Sequence, residues 1–130
     1  MMKKVMISLI LLTASSFAFA QAPDPSVLLG SWKMDMSPDN PSDNNFAMIR
    51  ITKASDNQIK GVFYREGVKI KEGRFTTQMG KLYGAVVSGD NSGTYNSTFY
   101  YKDGQLYGTT HSLGRDFLSV WTATKINESK

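Results

Sequence analysis

One stretch near the C-terminal end gathers the residue types that reactions use. Gly108-Thr-Thr-His-Ser-Leu-Gly-Arg-Asp-Phe-Leu-Ser-Val-Trp121 holds the chain's single histidine, His111, beside Ser112 and a few residues before Arg115 and Asp116. Serine, histidine and aspartate together suit nucleophilic acyl transfer, in which the imidazole must reach the hydroxyl proton within about 3 Å. Successive residues of a strand point to opposite faces, so on a strand His111 and Ser112 are badly placed to share that proton. No Gly-x-Ser-x-Gly elbow occurs either, and no catalytic residue is assigned. Metal chemistry is equally short of ligands. One histidine without any cysteine cannot hold zinc unless several carboxylates join it. The run Asp39-Asn-Pro-Ser-Asp-Asn44 lacks the glycine and terminal glutamate of a calcium loop and reads as a solvated loop of Asx turns. No metal and no cofactor is expected. Two roles remain for His111, Arg115 and Asp116: to brace a turn, or to offer polar contacts to a ligand's head group. The elements that carry them decide between the two.

Residues 1–20 are expected to leave the mature protein. Lys3 and Lys4 precede an apolar run from Val5 to Leu12, and small residues end in Ala18-Phe19-Ala20, the pattern of a cleaved secretory leader. The run is short for a membrane span, and the mature part holds no second one, so no transmembrane segment is expected there. The absence of cysteine excludes both a lipid-bearing N-terminal cysteine and disulfides. A small exported domain without disulfides suits a bacterial periplasm, or secretion from a bacterium, and there the sequons at Asn96 and Asn127 have no meaning. Loss of Lys3 and Lys4 lowers the formal charge from +4 to +2. Lysines scattered singly among acids in the sequence argue against nucleic acid as a partner. Nothing in the sequence sets an oligomeric state.

The rest reads as all-β. Turn signals recur at about the 8–12 residue spacing of sandwiches and barrels, and no stretch keeps a helical period. Strands are expected near 28–36, 45–53, 58–65, 68–77, 81–88, 93–102, 105–112 and 115–125. Asp56-Asn57 and Asp103-Gly104 suit the positive-φ positions of tight hairpins, Met79-Gly80 ends another, and Gly114 suits the left-handed position of the last. Eight strands in a meander remove their exposed edges by closing, so the expected fold is an eight-stranded antiparallel up-and-down barrel, with a two-sheet sandwich as the alternative. The expected organisation is a leader at 1–20, an extended arm at 21–27, one barrel domain at 28–126 and a tail at 127–130. The echo Gly80-Lys-Leu-Tyr-Gly84 and Gly104-Gln-Leu-Tyr-Gly108 fits this map and sends Tyr83 and Tyr107 to one face. Parity leaves open which face of the later strands is interior, since both carry apolar residues.

The first strand alternates cleanly, with Gly30, Trp32, Met34 and Met36 facing in. Gly30-Ser31-Trp32 at the start of the first strand of a small eight-stranded barrel, behind a secretory leader, resembles the lipocalin-like and avidin-like barrels of the calycin group. That resemblance implies a closed end plugged by Trp32 under a basic side chain of the last strand. In a closed meander the end of strand eight lies beside the start of strand one, which makes Lys125 the covering residue rather than Arg115. Lysine stands there in place of the arginine usual in lipocalins. The connections after strands two, four and six are short; those after one, three, five and seven include Ser37–Asn44, Ser88–Gly93 and the Ser112–Arg115 turn. The barrel thus has a tight floor and a looser polar mouth, where ligands of small barrels enter. The ligand-contact candidates at the mouth or in the lumen are His111, Arg115, Asp116, Tyr83, Tyr107, Thr109 and Trp121. They point to non-covalent capture of a small apolar or aromatic molecule. The alternative is a protein-interaction or inhibitor module of the bacterial envelope, docking through the mouth loops or the Gln21–Val27 arm.

Overall fold

The computed structural model describes residues 21–127; the expected leader at 1–20 and the last three residues lie outside that range. A 3-10 turn (Pro25–Leu28) precedes eight strands: β1 (Gly30–Asp35), β2 (Phe46–Ser55), β3 (Gln58–Tyr64), β4 (Ile70–Thr76), β5 (Tyr83–Asp90), β6 (Gly93–Lys102), β7 (Gln105–Ser112) and β8 (Phe117–Lys125). Each pairs antiparallel with the next, and β8 returns to β1 through Trp32↔Lys125 to Asp35↔Thr122, so the meander closes into a barrel. The expected fold class is the observed one.

Local chemistry sets the hairpins. Asp56 and Asn57, and Asp103 and Gly104, take positive φ in their two-residue turns, a geometry whose twist matches the flanking strands. In the last hairpin the left-handed position belongs to Asp116 (φ 52°), not Gly114. Aspartate tolerates that region, and the Ser112 hydroxyl accepts from the Arg115 amide at 3.3 Å to hold the turn. The segment before β1 also departs from expectation. Pro25–Leu28 is coiled rather than extended because Asp24 caps the Ser26 amide at 2.9 Å and Pro25 opens the turn.

Cross-strand register stacks the interior of β5 to β8 in three rows. From below upward they read Gly84↔Phe99↔Gly108↔Trp121, then Val86↔Ser97↔Thr110↔Ser119, then Ser88↔Tyr95↔Ser112↔Phe117. The lowest row alternates nothing with rings: a Cβ on Gly84 would meet the Phe99 ring, and one on Gly108 the Trp121 ring. Leu82 and Leu106 therefore point in, whereas Tyr83 and Tyr107 point out. Below them Leu28, Trp32, Met34 and Leu106 are fully buried, and Ile49, Ile51, Ile59 and Phe63 close the core from the other wall.

The floor is sealed by the turn itself. Leu28 is completely buried, and its carbonyl accepts from Trp32 Nε1 at 2.9 Å. Lys125 Nζ donates to the Val27 carbonyl at 2.7 Å and stands 5.1 Å above the Trp32 ring. One seam of the wall is loose. β3 and β4 are joined in ladder register only at Gln58↔Arg74, with a separate bridge at Val62↔Lys69.

Candidate ligand site at the barrel mouth

The upper lumen is built from hydroxyls because β5 to β8 place serine and threonine at inward positions above the aromatic row. Thr110 Oγ1 accepts from Trp121 Nε1 at 2.9 Å and lies 2.7 Å from Ser97 Oγ. Ser88, fully buried, and Ser119 have hydroxyl oxygens with no hydrogen-bond partner among the described residues. Buried hydroxyls are nearly always satisfied, so two open ones in the upper lumen leave hydrogen-bonding capacity for a guest or for water.

Above them the rim is aromatic and charged. Tyr64 ends β3 with φ at 89°, an uncommon conformation for a bulky residue, and its ring stacks on Tyr95 at 6.1 Å and 8°. Tyr95 is buried, its far side against Phe117. The Tyr95 hydroxyl lies 2.7 Å from Ser92 Oγ and accepts from Arg115 Nη1 at 3.4 Å. Arg115 rests 5.5 Å from the Phe117 ring centre and has no carboxylate within ion-pair distance among the described residues. The acceptor oxygen of Tyr95 stabilises its charge and raises its already high pKa. Asp90 is held below the usual carboxylate range by the Ser92 hydroxyl and amide and then by Arg65, which reaches it at 2.9 Å. Tyr64, Tyr95, Arg65, Arg115, Asp90 and Ser92 thereby surround a cleft of about 570 Å³, within the range that holds small ligands.

The residues proposed from sequence are not brought together. Arg115 is at the cleft, and Asp116 is spent on the turn conformation. His111 is exposed on the outer wall opposite Asn96 and Leu118, whereas Ser112 is fully buried inside. Facing opposite ways, they form no nucleophile–base couple. Tyr83, Tyr107 and Thr109 also face outward, which corrects their placement in the lumen: the inward positions beside them are taken by Leu82, Leu106, Gly84, Gly108 and Thr110. With Tyr100 they line an outer groove of about 580 Å³, where Tyr100 and Tyr107 stack at 5.2 Å. Trp121 is fully buried and packs edge-on to Phe63 at 5.8 Å. Sequence reasoning missed Tyr64, Arg65, Tyr95, Asp90 and Ser92. The Asp90-Asn-Ser92 spacing, in which the carboxylate accepts the amide two residues on at 2.8 Å, was a readable turn signal for two of them.

No protein-family model matches the chain, and no curated protein matches it. Among solved structures it is similar to the crystal structure of fluorescent protein UnaG wild type, at 15% identity and a TM-score of 0.38, over 75% of this chain and 96% of that one. The fold rests on the closed ladder itself.

Proposed function

We propose that this chain is an exported barrel, periplasmic or secreted, that captures a small aromatic anion at its mouth without covalent chemistry. The observation that carries the reading is Arg115, with no carboxylate in ion-pair distance among the described residues, held beside a stacked Tyr64–Tyr95 pair at the open end of the barrel. The guanidinium takes the anionic group in a forked hydrogen bond, and the tyrosine pair offers a flat face to the ring. The open hydroxyls of Ser88 and Ser119, in the wall below the cleft, suit a bridging water. Asp90, kept ionised and tied to Arg65, disfavours ligands with two anionic ends at this rim.

Titration with 2-naphthoate, followed by tyrosine fluorescence, tests this. Saturable binding is expected, weakened about tenfold by Arg115→Ala and also by replacing the carboxylate of the probe with a neutral alcohol. Binding unchanged in Arg115→Ala, or equal for the neutral probe, overturns the assignment. A second reading, an envelope protein partner, is favoured by the outer wall, where Leu118 and Val120 are 69% and 61% exposed beside the tyrosine groove. Leu118→Asp abolishing co-purification with an envelope protein while leaving naphthoate binding intact would decide for it.

A further inference from the structure

The seam between β3 and β4 holds a second cleft, of about 550 Å³, lined by a different set of residues from the mouth cleft. It is lined by the cations Lys60, Lys69, Lys71 and Arg74 and by Val62 and Ile70, with the core residue Ile59 behind them. None of the four cations has a carboxylate within ion-pair distance among the described residues; the three ion pairs present involve Arg50, Lys53 and Arg65 instead. With Glu72, which also borders the cleft, the group carries +3. Residues 21–130 together carry +2 once Lys3 and Lys4 are set aside, so everything outside the cleft sums to −1. The net positive charge of the domain therefore lies at one seam, although most of its lysines and arginines lie elsewhere. Lysines that are scattered in sequence meet here because β3 and β4 are neighbours and a bulge between Ile70 and Glu72 leaves both Lys71 and Glu72 exposed.

The seam also determines what size of occupant fits. The open stretch is short and held at both ends, at Gln58↔Arg74, where a Cβ on Gly73 would also run into the Ile59 carbonyl, and at Val62↔Lys69, which leaves no room for a further peptide strand between them. An acidic segment joining by β-augmentation is thus disfavoured. A compact anion can sit among the cations, and Val62 and Ile70 give an attached hydrocarbon a surface to cover. We infer that the β3–β4 cleft binds an amphiphilic anion, a phosphate-type head group carrying an alkyl chain, with Lys60, Lys69, Lys71 and Arg74 around the head and Val62 and Ile70 under the chain.

This site is independent of the mouth and shares no residue with it. It is tested with decyl phosphate below its micelle concentration, inorganic phosphate, decyl maltoside, and vesicles containing phosphatidylglycerol, with amide NMR shifts locating the response. Saturable binding of decyl phosphate is expected, with shifts at Lys60–Val62 and Ile70–Arg74, weakening at least tenfold on going from low to high salt. Inorganic phosphate should bind at least tenfold more weakly, and decyl maltoside should leave the seam unshifted. Lys71→Gln with Arg74→Gln should weaken decyl phosphate at least tenfold at unchanged melting temperature, while Lys102→Gln, a cation on another strand, leaves it unaltered. Tight binding to the vesicles with the same shifts would make the head group a membrane lipid's; binding to monomeric decyl phosphate alone would make it a free metabolite's. Equal response to the nonionic detergent, shifts confined to the mouth loops, or insensitivity to the double substitution would overturn the inference. So would self-association of the double variant with no loss of binding, which would show that the lysines guard the open seam against pairing.

Discussion

At the scale of single residues, Thr110 holds two buried groups of the lumen at once. Its hydroxyl accepts the Trp121 indole N–H at 2.9 Å and meets Ser97 at 2.7 Å, and all three residues are buried. Thr110→Val keeps the shape and removes only the hydroxyl, so two buried groups lose their partner at once. The expected cost is about 2–6 kcal/mol, since each of the two orphaned buried groups carries a desolvation penalty of about 1–3 kcal/mol. Urea unfolding with an unchanged m-value is the measurement, and a cost below about 1 kcal/mol would show that water or a ligand already serves these groups. The residue scale is also where the sequence was hardest to read. His111 attracted attention because histidine is chemically versatile, yet its own parity, one step from the inward Thr110 and Ser112, sends it to solvent. Tyr95, which does shape the mouth, looked like one more tyrosine in an aromatic strand. Nothing in its immediate neighbours separates it from Tyr100, which faces out.

At the scale of elements, the strand map was legible and the facing of the later strands was not, and the two outcomes have one cause. Hairpin positions follow from local turn chemistry, as at Asp56-Asn57 and Asp103-Gly104, whereas facing depends on which side the barrel curls toward. In β1 the alternation of Trp32 and Met34 with Lys33 and Asp35 settles that question. In β5 and β7 tyrosine and leucine compete for it. The glycines that end the Gly-x-Leu-Tyr-Gly echo held the answer: Gly84 and Gly108 are side-chain-free because the Phe99 and Trp121 rings lie across them. Paired large and small residues across a ladder are how a small barrel fills its taper. Gly108→Ala should therefore cost at least about 1–3 kcal/mol by overpacking, because the obstacle is a rigid, fully buried indole. Gly84→Ala should behave likewise, and adding Phe99→Leu to it should recover part of the loss by freeing the space the new methyl needs. If the double substitution is simply the sum of the two single ones, measured by chemical denaturation, the ring-over-glycine packing does not govern the site.

At the scale of the whole molecule, stability and binding are divided between the two ends and one seam. The floor is closed by Leu28, Trp32 and Lys125, which join the segment before β1 to β8 through the 2.7 Å contact of Lys125 to Val27 and to β1 through the 2.9 Å contact of Trp32 to Leu28. The wall from β5 through β8 is paired in continuous register, but β3 and β4 meet only at one ladder pair and one bridge. A closed barrel cannot open without breaking some neighbouring pair of strands, and the weakest pair sets where that happens. Local opening should therefore begin at this seam, which is also where Lys60, Lys69, Lys71 and Arg74 lie. The amides of Phe63 and Phe75 report on it directly, because they donate across the seam to the carbonyls of Val68 at 3.0 Å and Asn57 at 3.2 Å. In native-state hydrogen exchange these two amides should exchange through an opening that costs measurably less than global unfolding and depends weakly on denaturant. The best-protected amides of β6 and β7 should exchange only with the global transition. Exchange of Phe63 and Phe75 at the same free energy and denaturant slope as β6 and β7 would mean that the barrel opens as one unit. The sparse ladder would then be no weaker, in energetic terms, than the continuous ones.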